Sequence, residues 1–393
     1  MSALRILHLG KYYPPARGGI ETVVESLCRG ERPAVETRAL VLNKARPTSE
    51  EVVDDVPVVR VGSVATIGAV SVAPTLPLWL ARAQADVIVL HEPNPMALLA
   101  YALARPKAPL IVWFHSEVIR PRWQYRLFYE PLLAFALRRA ARIVVASPPM
   151  MDVPALERYR TKCTVVPYGL NLARYEPTPQ VAAKAQAIRR SVVDTPILLF
   201  VGRLVGYKGV EVLLRALPGL AAETVIVGDG PLRHSLMALA YDLGLSNRVR
   251  FVGETSDEEL RAWYHACDVL VLPSVSRQEA FGMVQLEAML AGHPVVSTDL
   301  KTGVAWVNQH ESTGLIVRPG DAGELRQALT RLVADPDLRD QFGAAGRARV
   351  LELFTAEQMC RSTLSIYREV TGAASVACEP VTVAASGIAE ARR

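Results

Sequence analysis

Short apolar segments recur along the chain, each followed by a turn-forming or helix-forming segment. Such runs are typical of strands buried on both faces of a parallel sheet, and the intervals between them can hold crossover helices. The pattern therefore predicts an α/β fold with two successive doubly wound sheets. The predicted strands are 4–9, 38–42, 56–61, 86–90, 110–114 and 142–146 in the first half, and 197–201, 224–227, 249–252, 269–272 and 294–297 in the second.

The length of 393 residues exceeds the size at which a single hydrophobic core keeps growing, so we expect two domains. Apolar periodicity fades and prolines accumulate before the second series of strands. This places a linker at 176–195, between an N-terminal domain at 1–175 and a C-terminal domain at 196–353. A further helix is predicted at 354–371, followed by a loose tail at 372–393.

Charge is distributed unevenly over the two halves. Residues 1–192 contain 25 Lys and Arg against 15 Asp and Glu, whereas residues 193–393 contain 19 against 24. A basic first half could attract a phosphorylated substrate, an anionic lipid or nucleic acid. The sequence lacks a helix-turn-helix, zinc-finger or aromatic RNA-binding motif, so nucleic acid is not an expected partner. It also lacks a signal peptide and an apolar run of the ~20 residues that span a bilayer. We therefore expect a cytoplasmic protein, or a peripheral one on the cytoplasmic face of the inner membrane.

The segment 117–142 interleaves arginines with aromatic residues. One interpretation is a pair of solvated amphipathic helices on the sheet, because arginine stems pack well on any surface. The other is an interfacial patch whose basic face contacts anionic headgroups. The residues concerned are Arg120, Arg122, Arg126, Arg138, Arg139 and Arg142, among Trp123, Tyr125, Phe128, Tyr129 and Phe135.

Neither the cysteines nor the one DPD sequence indicates a metal site. The five cysteines are scattered and show no short paired spacing, which also argues against a disulfide framework. Asp335 and Asp337 form the only DPD sequence, but an aspartate directly before a predicted helix is a common N-cap. We therefore expect no metal.

A glycine pair follows the first predicted strand. Gly18 and Gly19 lie between that strand and a predicted helix whose apolar positions include Val23, Val24 and Leu27. Backbone N–H groups at such a helix start can bind a phosphate, although a plain turn has the same sequence pattern. The loop is not GxGxxG, which argues against a nicotinamide cofactor.

Cationic and imidazole side chains follow other strands. Arg203 and Lys208 are five residues apart in a glycine-bearing loop after the first strand of the second half, where two cations could hold a diphosphate. His91 and His115 each follow a strand of the first half and stand near a carboxylate. Ligands gather at the carboxyl ends of parallel strands, so both a functional and a structural role stay open for the two histidines.

Two glutamates, Glu279 and Glu287, lie in the stretch 273–298. An apolar strand leads into this stretch, and a helix-forming segment at 284–291 ends before Gly292. We therefore predict that Glu279 lies in the loop and Glu287 in the helix. Ionised carboxylates only accept hydrogen bonds, which suits them to binding hydroxyl groups.

Four motifs follow one another along the chain. They are YYPPARGGIETVV, then GRLVGYKG, VGDGP, and EAFGMVQLE with AGHPVVST after it. Up to about residue 370 the chain resembles family four of the GT-B retaining glycosyltransferases. The resemblance implies two facing Rossmann-like domains, with a nucleotide sugar bound mainly by the second and an acceptor held mainly by the first. It also implies that the helix at 354–371 returns to the first domain.

The resemblance assigns roles to single residues. Glu287 matches the carboxylate that binds the ribose hydroxyls, and Glu279 the one that contacts the donor sugar. Arg203 and Lys208 match the pair on the diphosphate, and His115 resembles a histidine near the transferred sugar. Glu279, His115, Arg203 and Lys208 are thus the expected catalytic residues. The other expected donor-binding residues are Gly18, Gly19, Val252, Gly253, Phe281, Gly282, Met283 and Val284.

The reaction implied by the resemblance moves a hexose, mannose first, from a GDP- or UDP-sugar to a saccharide acceptor. With the basic first half, we expect this acceptor to be lipid-linked and to serve polysaccharide or glycolipid biosynthesis. The anomeric configuration is expected to be retained, without a metal or another cofactor. Alternatives are a sugar-nucleotide epimerase or phosphorylase on the same fold, and an inactive subunit that binds nucleotide sugars.

Overall fold

The structure is a computed structural model that describes residues 3–16, 18–68, 70–118, 125–192 and 195–373. Two large β-sheets organise these residues, and helices cover the sheet faces. Every strand pair of these two sheets is parallel except that of Ser49–Val53 with Val56–Val61, so the α/β fold class with two doubly wound sheets is confirmed.

The strands of the first half are β1 (Arg5–Leu9), β2 (Glu36–Leu42), β3 (Ser49–Val53), β4 (Val56–Val61), β5 (Ala65–Ile67), β6 (Val70–Val72), β7 (Val87–Glu92), β8 (Leu110–Phe114), β9 (Ala140–Val145) and β10 (Cys163–Val165). Eight of them form one sheet in the order β10-β9-β8-β7-β1-β2-β4-β3, in which only β3 runs antiparallel to its neighbour. The central strand β8 is buried at every position, which explains its apolar sequence without alternation.

The strands of the second half are β11 (Ile197–Val201), β12 (Glu223–Val227), β13 (Val249–Gly253), β14 (Val269–Leu272), β15 (Val295–Thr298) and β16 (Gly314–Val317). They form one parallel sheet in the order β13-β12-β11-β14-β15-β16. The strand order reverses between β11 and β14, and ligands of such sheets bind at the carboxyl side of this reversal.

The helices up to the second sheet are α1 (Gly19–Glu31), α2 (Leu76–Arg82), α3 (Pro95–Ala104), α4 (Glu130–Arg139), α5 (Leu172–Tyr175) and α6 (Pro179–Ser191). The later helices are α7 (Val210–Ala216), α8 (Arg233–Asp242), α9 (Asp257–Ala266), α10 (Met283–Leu290), α11 (Gly303–Val307), α12 (Ala322–Ala334), α13 (Pro336–Leu353) and α14 (Ala356–Thr371). Asp335 caps α13 by accepting a hydrogen bond from the backbone N–H of Leu338, as its position in the sequence predicts.

The segment predicted as a linker, 176–195, contains helix α6, which the apolar pattern did not predict. Val181 and Ala185 of α6 are buried against Ala262 and Ala266 of α9. This contact consists mostly of small residues, so it leaves little periodic signal in the sequence. The segment therefore packs against the second domain.

The C-terminal helix α14 lies against α1 of the first domain. The hydroxyl of Tyr367 donates to Glu31 at 3.0 Å. A Cβ on Gly30 would lie 2.5 Å from the Cys360 sulfur, so glycine allows the two helices to approach closely. One apolar core extends from the first sheet through α14 to the second sheet.

Candidate active site

The loop between β14 and α10 carries Glu279, which is almost fully buried. Its Oε2 accepts from Lys208 Nζ at 2.6 Å and from the Ser274 hydroxyl at 3.0 Å. The Thr302 hydroxyl donates to the backbone oxygen of Glu279 at 2.8 Å and so fixes the loop from the other side. Within the part of the chain that the structure describes, Oε1 of Glu279 has no partner. Hydrogen bonds to Oε2 thus hold the carboxylate in place, and Oε1 is left to bind a ligand.

Lys208 lies in the loop after β11, where Gly209 makes the approach to the Glu279 loop possible. Gly209 has a φ of +69°, and a Cβ there would lie 1.9 Å from the carbonyl oxygen of Pro273. A residue with a side chain would therefore push the two loops apart. Arg203, in the same loop, is exposed and pairs with no carboxylate among the described residues. The structure thus brings Lys208 to Glu279 and leaves Arg203 unpaired.

Glu287 lies within α10, as predicted, and is held by two tyrosines. Tyr175 donates to its Oε1 at 2.7 Å, and Tyr264 donates to its Oε2. Burial raises the pKa of Glu287, and the hydrogen bonds from Tyr264 and Tyr175 oppose this rise. The two glutamates therefore differ in kind, because Glu279 is neutralised by a cation whereas Glu287 is held by neutral donors.

The other predicted donor-binding residues of the second domain lie at the same sheet edge. Phe281 is buried, with its ring among those of Tyr168, Trp306 and Phe354. Gly282 has a φ of +76°, and a Cβ there would lie 2.7 Å from a methyl group of Leu272. The remaining positions are Met283 and Val284 in the first turn of α10, and Val252 and Gly253 at the end of β13.

The predicted glycine pair lies at the start of α1, directly after the loop that follows β1. No side chain caps this helix start. A Cβ on Gly19 would meet no atom within 4 Å, so the backbone there borders open space. Uncapped N–H groups at a helix start can bind an anion.

Three buried histidines, His8, His91 and His115, form a hydrogen-bonded row across the first sheet. His8 lies on β1, His91 on β7, and His115 directly after β8, so neighbouring strands carry them. Nδ1 of His8 lies 3.0 Å from Nε2 of His91, and Nδ1 of His91 lies 2.9 Å from Nε2 of His115. His91 and His115, predicted only as separate strand-end residues, are thus in direct contact.

The histidine row has a defined partner at each end. Nε2 of His8 lies 3.1 Å from Oε2 of Glu31 on α1, and Nδ1 of His115 lies 2.5 Å from the hydroxyl of Tyr168. Burial lowers the pKa of His115 to about 3 and holds the pKa of His91 well below its ordinary value. These two imidazoles are therefore neutral at physiological pH. The sugar contact expected for His115 stays a prediction.

Glu92 follows His91 on the opposite face of β7 and is fully buried. Its Oε2 accepts from the Tyr129 hydroxyl at 2.6 Å and from the backbone N–H of Asn94 at 3.0 Å. Burial raises the pKa of Glu92 to about 7, against the effect of these two hydrogen bonds. This carboxyl group therefore titrates near neutral pH.

The first domain contacts the Glu279 loop in several places, among them Ala280, which packs against the apolar core of the first domain. Nε of Arg277 donates to Oε2 of Glu117 at 3.0 Å, and the ring centroids of Tyr168 and Phe281 lie 4.8 Å apart. The carboxyl edges of the two sheets therefore face each other across this loop.

Part of the predicted basic segment 117–142 lies outside the described residues. This concerns 119–124, with Arg120, Arg122 and Trp123, and the side chains of Tyr125 and Arg126. Of the rest, Leu127 and Phe128 are each 63% exposed, and Arg138 and Arg139 at the end of α4 are exposed. Arg142 pairs with Glu369 of α14.

Within the described ranges, no cluster of three or more His, Cys, Asp or Glu side chains is arranged to hold a metal. No helix among those residues is both long and apolar enough to cross a bilayer. The expected absence of a metal or other cofactor stays a prediction.

Several site residues had no local signal in the sequence. Tyr175 and Tyr264 lie 112 and 23 residues from Glu287 along the chain. Glu31 lies 23 residues from His8, and Tyr168 lies 53 residues from His115. His8 is different, because it is a polar residue inside an apolar strand and could have been noticed as a candidate.

Comparison with known proteins identifies the class that this fold and site belong to. The family model "Glycosyl transferases group 1" matches residues 182–349, and "Glycosyl transferase 4-like domain" matches residues 18–169. The chain belongs to the group 1 glycosyl transferases. It is accordingly a glycosyltransferase of the two-domain GT-B fold, which confirms the resemblance drawn from the four motifs.

Individual relatives match nearly the whole chain. It is 35% identical to D-rhamnosyltransferase WbpZ of Pseudomonas aeruginosa, over 90% of this chain and 93% of that protein. It is 30% identical to O-antigen chain mannosyltransferase C of Escherichia coli, over 93% of this chain and 98% of that protein. Sucrose-phosphate synthase from Thermosynechococcus elongatus has a similar structure, with a TM-score of 0.78 at 25% identity, over 94% of this chain and 100% of the other.

Proposed function

We propose that this glycosyltransferase transfers a hexose, with mannose preferred, from a GDP- or UDP-sugar to a lipid-linked saccharide. The transfer retains the anomeric configuration and uses no metal. The observation that carries the proposal is the contact of Glu279 with Lys208, which leaves Oε1 of Glu279 and the guanidinium of Arg203 without protein partners in the described chain. Oε1 of Glu279 can accept a hydrogen bond from a sugar hydroxyl, and Lys208 and Arg203 can bind a diphosphate. Together these groups match a sugar linked to a diphosphate.

The charges of the site support metal-independent chemistry on such a donor. Cleavage of the glycosidic bond increases negative charge on the diphosphate. Lys208, Arg203 and the uncapped start of α1 at Gly19 are positive groups on the two facing domains. Groups fixed in place before the reaction stabilise such charge without reorganising. Glu287, held by two tyrosines, suits the ribose hydroxyls of the same donor.

The preference for mannose is supported by the relatives. One is named for D-rhamnose and another for mannose, and D-rhamnose is 6-deoxymannose. Both names concern sugars with an axial hydroxyl at C2. The second relative is also named for an O-antigen chain, which supports a saccharide acceptor of surface polysaccharide assembly.

The test is transfer from a panel of sugar nucleotides, including GDP-mannose, GDP-D-rhamnose and UDP-glucose, to lipid-linked saccharides extracted from membranes. Excess EDTA tests the metal requirement, and NMR of the product gives its anomeric configuration. We expect transfer in EDTA from a GDP- or UDP-sugar, lost in Glu279→Gln and kept in the control Glu357→Gln, a strongly exposed residue of α14.

Other outcomes of this experiment favour other functions. Donor consumption without an acceptor favours an epimerase, and donor consumption that requires phosphate favours a phosphorylase. Donor binding without turnover under any condition favours an inactive subunit. No transfer from any donor contradicts the proposal.

We also propose that the acceptor is reached at the cytoplasmic face of an anionic membrane, through the exposed residues of 117–142. Leu127 and Phe128 just before α4, and Arg138 and Arg139 at its end, are all exposed, and such a combination suits an interface with anionic headgroups. Sedimentation with phosphatidylglycerol vesicles should be lost when Leu127 and Phe128 are both changed to serine. Leu103→Ser, at a position on α3 that is 64% exposed, is the matched control. Equal sedimentation with phosphatidylcholine vesicles would contradict the proposed contact of the arginines with anionic headgroups.

A further inference from the structure

The hydrogen bonds of the histidine row can run in two directions, because neutral His91 and His115 each offer one donor and one acceptor. In the direction that starts from Glu31 on α1, Oε1 of Glu31 accepts from Tyr367 and Oε2 accepts from Nε2 of His8. Nδ1 of His8 then accepts from Nε2 of His91.

The same direction extends to the other end of the row. Nδ1 of neutral His91 accepts from Nε2 of His115, and Nδ1 of His115 accepts from the hydroxyl of Tyr168. In this direction all three histidines carry a proton on Nε2, and every ring nitrogen has a partner. In this state neither ring nitrogen of His115 remains for a sugar hydroxyl.

The surroundings of His91 and His115 favour neutral imidazoles. Trp113 stacks against His91 and His115, with ring centroids 5.9 and 5.8 Å away. The ionisable groups around Glu31 are Tyr367, Cys28 and Cys360, all buried. Glu31 is therefore the only carboxylate that contacts the row among the described residues.

Tyr168 connects the end of the row to the Glu279 loop. Its hydroxyl is held by His115, and its ring packs on Phe281, two positions after Glu279. The loop is fixed from the second domain by Thr302 and by the N–H of Gly303, which donates to the carbonyl of Ala280 at 2.8 Å. Tyr168 is the corresponding support from the first domain.

We propose that the row His8, His91 and His115 is a positioning device for the donor loop, which orients Tyr168 and through Phe281 holds Glu279 at the transferred sugar. The three histidines and Tyr168 are positioning residues, and the proposal rests on the proposed function of Glu279. Because Tyr367 donates to Glu31, the C-terminal helix α14 is part of the same hydrogen-bonded chain.

The first arm of the test is NMR of ¹⁵N-labelled protein at neutral pH, which distinguishes the two neutral imidazole tautomers. We expect His8, His91 and His115 all to carry the proton on Nε2. A proton on Nδ1 of any of them, or a charged imidazole in the row, would overturn the proposed direction. This arm needs no substrate, so it is independent of the proposed transfer reaction.

The second arm compares two substitutions in the middle of the row. The amide of His91→Gln offers one donor and one acceptor and can bridge His8 and His115, whereas His91→Phe offers neither. We expect His91→Phe to lower kcat on the order of ten- to hundredfold with little change in donor KM, because a displaced catalytic group slows the reaction steeply. His91→Gln should keep most of the activity.

Leu90→Val is the structural control, because Leu90 precedes His91 on β7 but faces the other core. It should keep kcat when rates are corrected for the folded fraction. An equal kcat for His91→Phe and Leu90→Val would overturn the positioning role. If the tautomers are as expected but no sugar is transferred, the hydrogen-bond direction of the row is supported and the proposed function is contradicted.

Discussion

The facing edges of the two sheets hold polar groups of opposite character. The edge of the second domain is ionic, with Lys208 on Glu279 and Arg203 unpaired in the described chain. The buried polar groups at the edge of the first domain carry little charge, since burial keeps His115 uncharged and raises the pKa of Glu92 to about 7. The ionic groups can stabilise a developing charge, whereas the buried histidines can orient their neighbours.

This difference predicts how substitutions at the two edges should differ. Changes at the ionic edge remove interactions with the reacting diphosphate and should mainly affect turnover or donor affinity. Changes to the buried polar groups at the edge of the first domain alter orientation and the energy of burying polar groups, so they should mainly affect stability and its pH dependence.

Lys208→Met should have the largest effect, a fall in kcat of about 10²- to 10³-fold, because it removes a fixed cation from the leaving group. It also leaves Glu279 with Ser274 as its remaining side-chain donor. Steady-state kinetics with saturating donor measures the effect. Lys301→Met, at an exposed lysine, should be indistinguishable from the wild type. A decrease of less than about tenfold would show that Lys208 does not stabilise the transition state.

Glu287→Ala should mainly weaken donor binding, and Glu279→Ala should mainly slow transfer. A hydrogen bond to a charged group contributes about 1.5 to 3 kcal/mol, so donor KM should rise roughly ten- to hundredfold in the Glu287 variant. Calorimetric binding of the donor and initial rates measure the two effects separately. Tyr264→Phe removes only one of the two donors to Glu287 and should raise KM less. Equal effects of both glutamate variants on KM and kcat would contradict the separate roles.

Much of the fold could be predicted from the apolar pattern alone. The predicted strands 110–114 and 269–272 coincide with β8 and β14, because strands buried on both faces appear as continuous apolar runs. Helix α6 was not predicted, because its contact with α9 consists mostly of small residues. Strand β16 was also missed, as its four residues follow a loop without a distinct apolar boundary.

The candidate site could be predicted only where its residues are local in sequence. The placement of Glu279 in the loop and Glu287 in the helix follows from neighbouring turn and helix signals. Their partners Tyr175 and Tyr264 are brought in by tertiary packing, which a single sequence does not encode in any short pattern. The histidine row likewise depends on the strand order β8-β7-β1.

Glu92→Gln should change the pH dependence of stability. The folded protein keeps a proton on Glu92 up to a pH of about 7, whereas the unfolded chain loses it near the ordinary value of 4.5. Wild-type stability should therefore fall as the pH rises from 4.5 through 7, by about 1 to 3 kcal/mol relative to the variant. Urea unfolding at pH 5 and pH 8 measures this difference. A stability difference that is the same at both pH values would contradict a buried, protonated Glu92.

Breaking the ion pair between Glu117 and Arg277 should have the smallest effect on kcat/KM, although this pair joins the two domains at the Glu279 loop. Arg277 is exposed to solvent in part, so the coupling in a double-mutant cycle of Glu117→Gln and Arg277→Met should stay below about 1 kcal/mol and shrink with added salt. The measured quantity is kcat/KM at low and high salt. The pair Arg318 and Asp321, exposed within the second domain, is the control and should show no coupling in kcat/KM. A coupling of several kcal/mol would mean that an ionic contact, rather than Tyr168 and its neutral support, holds the loop between the domains.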